Sequence, residues 1–263
     1  MIKLIVSDMD GTLLDDGKNI DGEIYNLLPK LKENGIRFVV ASGRQYPSLK
    51  KHFHEHMKDV VVIAENGAFV VEDGKELVVE PMAQEDVAHC LDRIFTLKGV
   101  EPLLCSKYCS YTRSPELLEY LSSPLFHYEM RLAEDLFHVE EDVIKVSMIS
   151  HEGESAESCY EKLRPLLDEG LDLVISGDAC LDTGRRGVTK GTAVSALQKM
   201  WGISPEETMV FGDQFNDVEM LKRAHYSYAM EGAAEGVKKY ARFTAGSNNK
   251  GGVVKAIRTV TGL

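Results

Sequence analysis

Ile2-Lys3-Leu4-Ile5-Val6 runs directly into Ser7-Asp8-Met9-Asp10-Gly11-Thr12. The apolar run is too short for a helix core and reads as a strand buried in a parallel sheet. Period-two alternation then predicts that Asp8 and Asp10 face one site just past the strand's carboxyl end. Open α/β sheets carry their chemistry there. Gly11 permits a sharp exit, and Thr12 offers a hydroxyl to steady the loop by bonding its backbone. Two acids on one turn suit paired work, one attacking and one moving protons. The stretch also fits an ordinary tight turn or a calcium-type loop, so the rest of the chain decides.

Downstream, Ile24, Leu27, Leu28 and Leu31 recur at helical spacing, with Asp21 as N-cap and Asn34-Gly35 as the stop. Pro29 lies inside this segment, removes a backbone donor and predicts a kink. Ile36 to Ala41 then reads as a strand ending in Ser42-Gly43-Arg44, and Val60 to Ala64 as one ending in Glu65-Asn66-Gly67. Strand, helix and strand with short connections give right-handed βαβ units and a parallel sheet. Phe69 to Glu72 and Glu76 to Val79 flank Asp73-Gly74 as a hairpin with a type I′ turn.

After Pro81 the texture changes. Helix Glu85 to Leu97 precedes strands near Leu103 and Tyr111, and strand Val143 to Ile149 precedes helix Ser155 to Leu167 and strand Leu171 to Ile175. The parallel pattern resumes with a helix from Lys190 to Met200 and the run Thr208 to Phe211. The expected fold is therefore α/β: a Rossmann-like parallel-sheet core over residues 1–81 and 187–263, with an inserted α+β domain over 82–186. The junctions fall near Pro81 and Gly184 to Gly187.

Composition narrows the function. The 263 residues are 44% hydrophobic and 27% charged, as in ordinary globular proteins. With 42 acidic against 30 basic side chains the net charge is −12, which argues against nucleic acid and anionic membranes as partners. No apolar run approaches the length of a bilayer span, and the first one is broken by Asp8 and Asp10, unlike a signal peptide. Five scattered cysteines without CxxC spacing predict reduced thiols in the cytoplasm. His52, His54 and His56 alternate, but no third ligand is evident and a solvated helix is expected.

Three further stretches fall at the sheet's carboxyl edge or a helix start. Ser42-Gly43 can present a hydroxyl and a backbone N–H to an anion, or make a plain strand-to-helix turn. Lys190-Gly191-Thr192 opens a helix, an arrangement for holding phosphate, although a single lysine more often lies in solvent. Gly212-Asp213 ends a strand, with Asn216 and Asp217 at the next helix start. Asp213 fits a hard cation, and Asp217 fits an orienting role behind it or a helix cap. Gathered on one edge, Asp8, Asp10, Asp213 and Asp217 would repel one another, and magnesium with Lys190 would compensate.

In order, these stretches resemble the four motifs of the haloacid dehalogenase superfamily of aspartate-nucleophile phosphatases. Asp8-Met9-Asp10-Gly11-Thr12-Leu13-Leu14 resembles motif I, Ser42-Gly43-Arg44 motif II, Lys190-Gly191 motif III, and Gly212-Asp213-Gln214-Phe215-Asn216-Asp217 motif IV. The insertion, like Glu65-Asn66-Gly67-Ala68, resembles the C2B-capped, Cof-type branch (subfamily IIB), so the similarity covers essentially the whole chain. It implies that Asp8 attacks phosphorus to form an aspartyl-phosphate, while Asp10 protonates the leaving alcohol and then activates water. Magnesium would be held by Asp8, the Asp10 carbonyl and Asp213, with Asp217 behind it. Phosphate would be held by the Met9 backbone, Ser42, Gly43, Lys190 and Asn216. Thr189 stands where serine is common, and Lys250-Gly251-Gly252 replaces a frequent Asp-Gly pair. The expected activity is hydrolysis of a small phosphorylated metabolite such as a sugar phosphate. A phosphomutase or phosphotransferase, or a non-catalytic phosphometabolite-binding regulator, is the alternative. Oligomeric state is left open.

Overall fold

The computed structural model describes residues 1–150, 155–177 and 179–263. They form two compact units, one of Met1–Ser42, His52–Val78 and Thr189–Leu263, the other of Gly43–Lys51 and Val79–Val188. Gly43–Lys51 thus groups with the inserted unit, whereas the sequence places it in the core.

In chain order the strands are β1 (Leu4–Asp8), β2 (Arg37–Ala41), β3 (Val60–Ala64), β4 (Phe69–Glu72), β5 (Lys75–Val79), β6 (Val100–Ser106), β7 (Ser110–Thr112), β8 (Met130–Leu132), β9 (Val143–Ser150), β10 (Leu171–Gly177), β11 (Cys180–Arg185), β12 (Thr208–Gly212), β13 (Tyr226–Met230) and β14 (Phe243–Ala245). The helices are α1 (Glu23–Glu33), α2 (Tyr46–Phe53), α3 (Gln84–Ile94), α4 (Pro115–Ser122), α5 (Ala156–Leu163), α6 (Lys190–Trp201), α7 (Val218–Leu221), α8 (Glu235–Lys238) and α9 (Gly252–Thr261).

The first unit's sheet has the order β14-β13-β12-β1-β2-β3-β4-β5. Every residue of β1, β3 and β12 is buried, as strands covered on both faces require. β1 runs parallel to β2 and β12, and β3 runs parallel to β2. That direction puts the carboxyl ends of all four at one edge, where Asp8, Ser42, Glu65 and Asp213 follow. β4 runs antiparallel to β3. The turn after it has positive φ at both Asp73 (+47°) and Gly74 (+77°), as a type I′ hairpin demands.

Helix α1 buries Ile24, Leu27, Leu28 and Leu31 and runs unbroken through Pro29. Such side chains contribute about 1.5–3 kcal/mol each when fully buried, which outweighs one lost backbone donor. Asp21 lies one residue before the N-cap position, Gly22, and its Oδ1 accepts from the Glu23 amide at 3.0 Å. The three histidines do not share a helix face. α2 ends at Phe53, His54 has φ +32°, and His56 stacks on Tyr25 at 5.1 Å.

The second unit's sheet has the order β10-β11-β9-β6-β7-β8 and is antiparallel except between β7 and β8. Cys90, Leu91, Ile94, Cys159 and Leu163 of α3 and α5 pack with Leu104, Val146, Met148 and Leu181. Alternation along β6 sends Leu103 and Cys105 to the other face, against Leu117 and Leu121 of α4. Three elements were not expected: α4, β8 and β11. Gly184 is paired within β11, opposite Asp172. All five cysteines are free. Among the described residues no helix is long and apolar enough to cross a membrane.

Candidate active site

The chemistry starts where β1 stops. Met9–Leu13 forms a π-type turn, closed by the Leu14 amide donating to the Met9 carbonyl at 2.8 Å, with Asp10 extended and Gly11 left-handed at φ +75° inside it. Strand alternation therefore ends at Asp8, and Asp10 belongs to the turn. Asp8 is buried, and its Oδ1 accepts from Lys190 Nζ at 2.6 Å. The Asp10 carboxylate, half-exposed, accepts from Lys18 Nζ at 2.7 Å. A Cβ at Gly11 would lie 2.4 Å from Asp213 Oδ2, so glycine is required for approach as well as for φ. The Thr12 hydroxyl donates to Asp213 Oδ1 at 3.0 Å instead of bonding its own backbone.

Lys190 opens α6 and is 1% exposed, not a surface lysine. Thr189 and Thr192 cap this helix reciprocally: Thr189 Oγ1 accepts from the Thr192 amide at 3.1 Å, and Thr192 Oγ1 from the Thr189 amide at 2.9 Å. The lysine also donates to Asp217 Oδ1 at 2.7 Å. Asp217 is fully buried, and its Oδ2 accepts from the amides of Asp213 at 2.9 Å and Gln214 at 3.0 Å. One carboxylate thus fixes both the lysine and the turn that carries Asp213.

Ser42 is buried at the end of β2. Its amide donates to the Ile63 carbonyl, and its carbonyl accepts from the Asn66 amide, both at 2.9 Å. Asn66, at φ +55°, accepts on Oδ1 from Asn216 Nδ2 at 3.1 Å. A Cβ at Gly67 would meet the Thr189 carbonyl oxygen at 2.3 Å. The 65–67 turn therefore links Ser42, Asn216 and the start of α6. Gly43 groups with the second unit, where its carbonyl accepts from Lys145 Nζ at 3.0 Å. Asn66 enters the sequence reading only within Glu65-Asn66-Gly67-Ala68, with no site role given to it, and Lys18 does not enter it. Asn-Gly closing a strand and a lysine soon after the Asp pair were the available signals.

Asp8, Asp213 and Asp217 each offer a carboxylate oxygen within 4.8 Å of the others. Burial first, then the charge of Asp217, pushes the Asp8 carboxyl well above the usual range against the pull of Lys190. The same two causes push Asp213 up to about 6. Burial alone would lower the Lys190 ammonium, but the charges of Asp217 and Asp8 outweigh it and raise it. Three buried acids against one ammonium make an all-oxygen site short of positive charge, which fits a hard divalent cation.

The haloacid dehalogenase-like hydrolase family matches residues 5–257. The chain is 34% identical over 266 positions to the 5-amino-6-(5-phospho-D-ribitylamino)uracil phosphatase YbjI of Escherichia coli K12, covering 98% of this chain and 96% of that protein. It is 25% identical over 257 positions to YcsE of Bacillus subtilis 168, a phosphatase of the same name, covering 98% and 95%. The solved structure of SMU.1108c from Streptococcus mutans UA159 matches with a TM-score of 0.89 at 30% identity, over 100% of both chains.

Proposed function

The chain belongs to the haloacid dehalogenase-like hydrolases and is a phosphatase of small phosphorylated metabolites; from that premise we propose a two-step mechanism through Asp8, with a sugar or sugar-alcohol phosphate as substrate. The observation that carries this reading is the bond from one buried ammonium, Lys190, to both Asp8 and Asp217. It fixes the Asp8 carboxylate at the sheet's carboxyl edge, with cationic charge beside the place a phosphoryl group must occupy.

In the first step an Asp8 oxygen bonds to phosphorus, the bond from phosphorus to the ester oxygen breaks, and Asp10 gives its proton to that oxygen. In the second, Asp10 takes a proton from water, the water oxygen bonds to phosphorus, and the Asp8–phosphorus linkage breaks to release phosphate. The Met9 amide, Ser42, Lys190 and Asn216 hold the phosphoryl oxygens, and Asp217 positions Lys190 and Asp213. Asp8, Asp213 and the Asp10 carbonyl would hold magnesium, which would neutralise charge on the phosphate and its attacker. The names of YbjI and YcsE, both phosphatases of a 5-phosphoribityl compound, support a phosphate on a primary carbon.

The test is inorganic phosphate release from a panel of sugar and sugar-alcohol phosphates, including 5-amino-6-(5-phospho-D-ribitylamino)uracil, with magnesium or EDTA. Metal-dependent release is expected. Isomerised product without free phosphate would make the protein a mutase, and no turnover of any compound would overturn the reading.

A further inference from the structure

Lys18 holds the carboxylate of Asp10 from a loop built around that contact. Nζ donates to Asp10 Oδ1 at 2.7 Å, with both side chains 38% exposed. A pair this exposed adds little to stability, so its significance lies in what it fixes. Lys18 sits in left-handed backbone at φ +63°, which lysine seldom adopts unless its surroundings impose it.

Those surroundings are specific. Leu14 pairs with Ile20 across the loop, the Asp15 amide donates to the Asn19 carbonyl at 2.9 Å, and the Lys18 amide donates to the Asp15 carbonyl at 3.0 Å. Asp15 Oδ1 accepts from the Asn19 amide at 2.8 Å. The segment before α9 clasps the loop from outside. Asn248 Nδ2 donates to the Leu14 carbonyl at 3.0 Å and to Asp16 Oδ1 at 3.1 Å. Asn249 Nδ2 donates to Asp16 Oδ2 at 2.9 Å, and its Oδ1 accepts from the Asp16 amide at 3.0 Å. The loop is thereby tied at both ends while its tip presents one ammonium to one carboxylate.

We propose that Lys18 is a positioning residue for Asp10, holding the carboxyl group where it passes a proton to the leaving oxygen. The inference rests on the acid/base reading of Asp10 given above. It predicts a dependence on the leaving group, because p-nitrophenolate departs without a proton whereas a primary alkoxide needs one.

The experiment measures kcat/KM, which reports events through the first departure, for p-nitrophenyl phosphate and for the alkyl phosphate turned over fastest in the substrate panel. Wild type, Lys18→Asn, Lys18→Arg and Asp10→Asn are compared with magnesium. Asparagine accepts the left-handed backbone, so Lys18→Asn removes the ammonium and keeps the turn. Lys18→Asn should lose about tenfold or more on the alkyl phosphate and less than about threefold on p-nitrophenyl phosphate, and Lys18→Arg should restore the ratio. Equal loss on both substrates, or loss on neither, overturns the role of Lys18. If Asp10→Asn itself slows both substrates equally, the acid/base reading fails and takes this proposal with it.

Discussion

Lys190 and Asp217 form a fully buried ion pair, Nζ to Oδ1 2.7 Å, with the two side chains 1% and 0% exposed. The same ammonium reaches Asp8, 182 positions away in sequence, at 2.6 Å. A charge removed from water this completely persists only when its partners replace the lost solvation, and here two carboxylates do so. The pair ties the start of α6 to the ends of β1 and β12.

Replacing Lys190 with Met leaves Asp8 and Asp217 buried without their cation. Removing one partner of a buried pair costs about 3–5 kcal/mol, so Lys190→Met should lose that much stability in urea along with its phosphate release. A variant of wild-type stability would mean that the lysine does not hold the site together.

The Asp213 carboxyl, pushed up to about 6 from 3.8 by burial and then by Asp217, gives a pH test. Because it is harder to ionise in the folded chain than in the unfolded one, the folded state binds more protons between these values. Its contribution to stability therefore falls as pH rises through that window. In EDTA, Asp213→Asn should gain stability relative to wild type from about pH 4 to about pH 6 and hold the gain above it, and magnesium should reverse it. A difference that does not vary with pH would contradict this origin of the shift.

Gly11→Ala combines a left-handed backbone with a Cβ 2.4 Å from Asp213 Oδ2. The strain is about 1–2 kcal/mol, and displacement of a site group by ~1 Å can cost about 100-fold in rate. Turnover should fall by that order, and half-maximal activity should need more magnesium. An unchanged metal titration would show that Asp213 is not held through this contact.

In the second unit, Lys145 and Asp182 are both buried, Nζ to Oδ2 3.4 Å, and Ser147 Oγ donates to Asp182 Oδ1 at 2.6 Å. Asp182→Ala removes a buried counter-charge beside Lys145 and should destabilise the protein by about 3–5 kcal/mol in urea unfolding. A loss below ~1 kcal/mol, typical of a surface pair, would mean that water reaches the lysine.

Strand runs and their terminal residues made much of this legible from sequence. Buried parallel strands read as continuous apolar segments, so β1, β2, β3 and β12 announced themselves, and with them the edge that carries Asp8, Ser42 and Asp213. Residues whose positions depend on turn geometry were harder. The π-type turn at Met9 removed Asp10 from the strand's alternation and aimed Thr12 at Asp213, which no periodicity encodes. Lys18 and Asn66 lie in left-handed backbone within loops, where contacts follow from folding and not from spacing. In the second unit, Ser114-Pro115-Glu116 was a readable helix start, with Ser114 Oγ accepting from the Leu117 amide at 3.1 Å, but the short α4 it opens lacked a long apolar pattern. β11 was obscured by Gly184 and the two arginines after it, which resemble an exposed connection.

Acid-quenched turnover followed by peptide mass mapping tests the covalent role of Asp8. Wild-type protein quenched during steady turnover with magnesium should carry a phosphoryl group on Asp8, and Asp8→Asn should carry none and release no phosphate while remaining folded. Phosphate release by Asp8→Asn at the wild-type rate, or a phosphoryl group found on another residue, would contradict it.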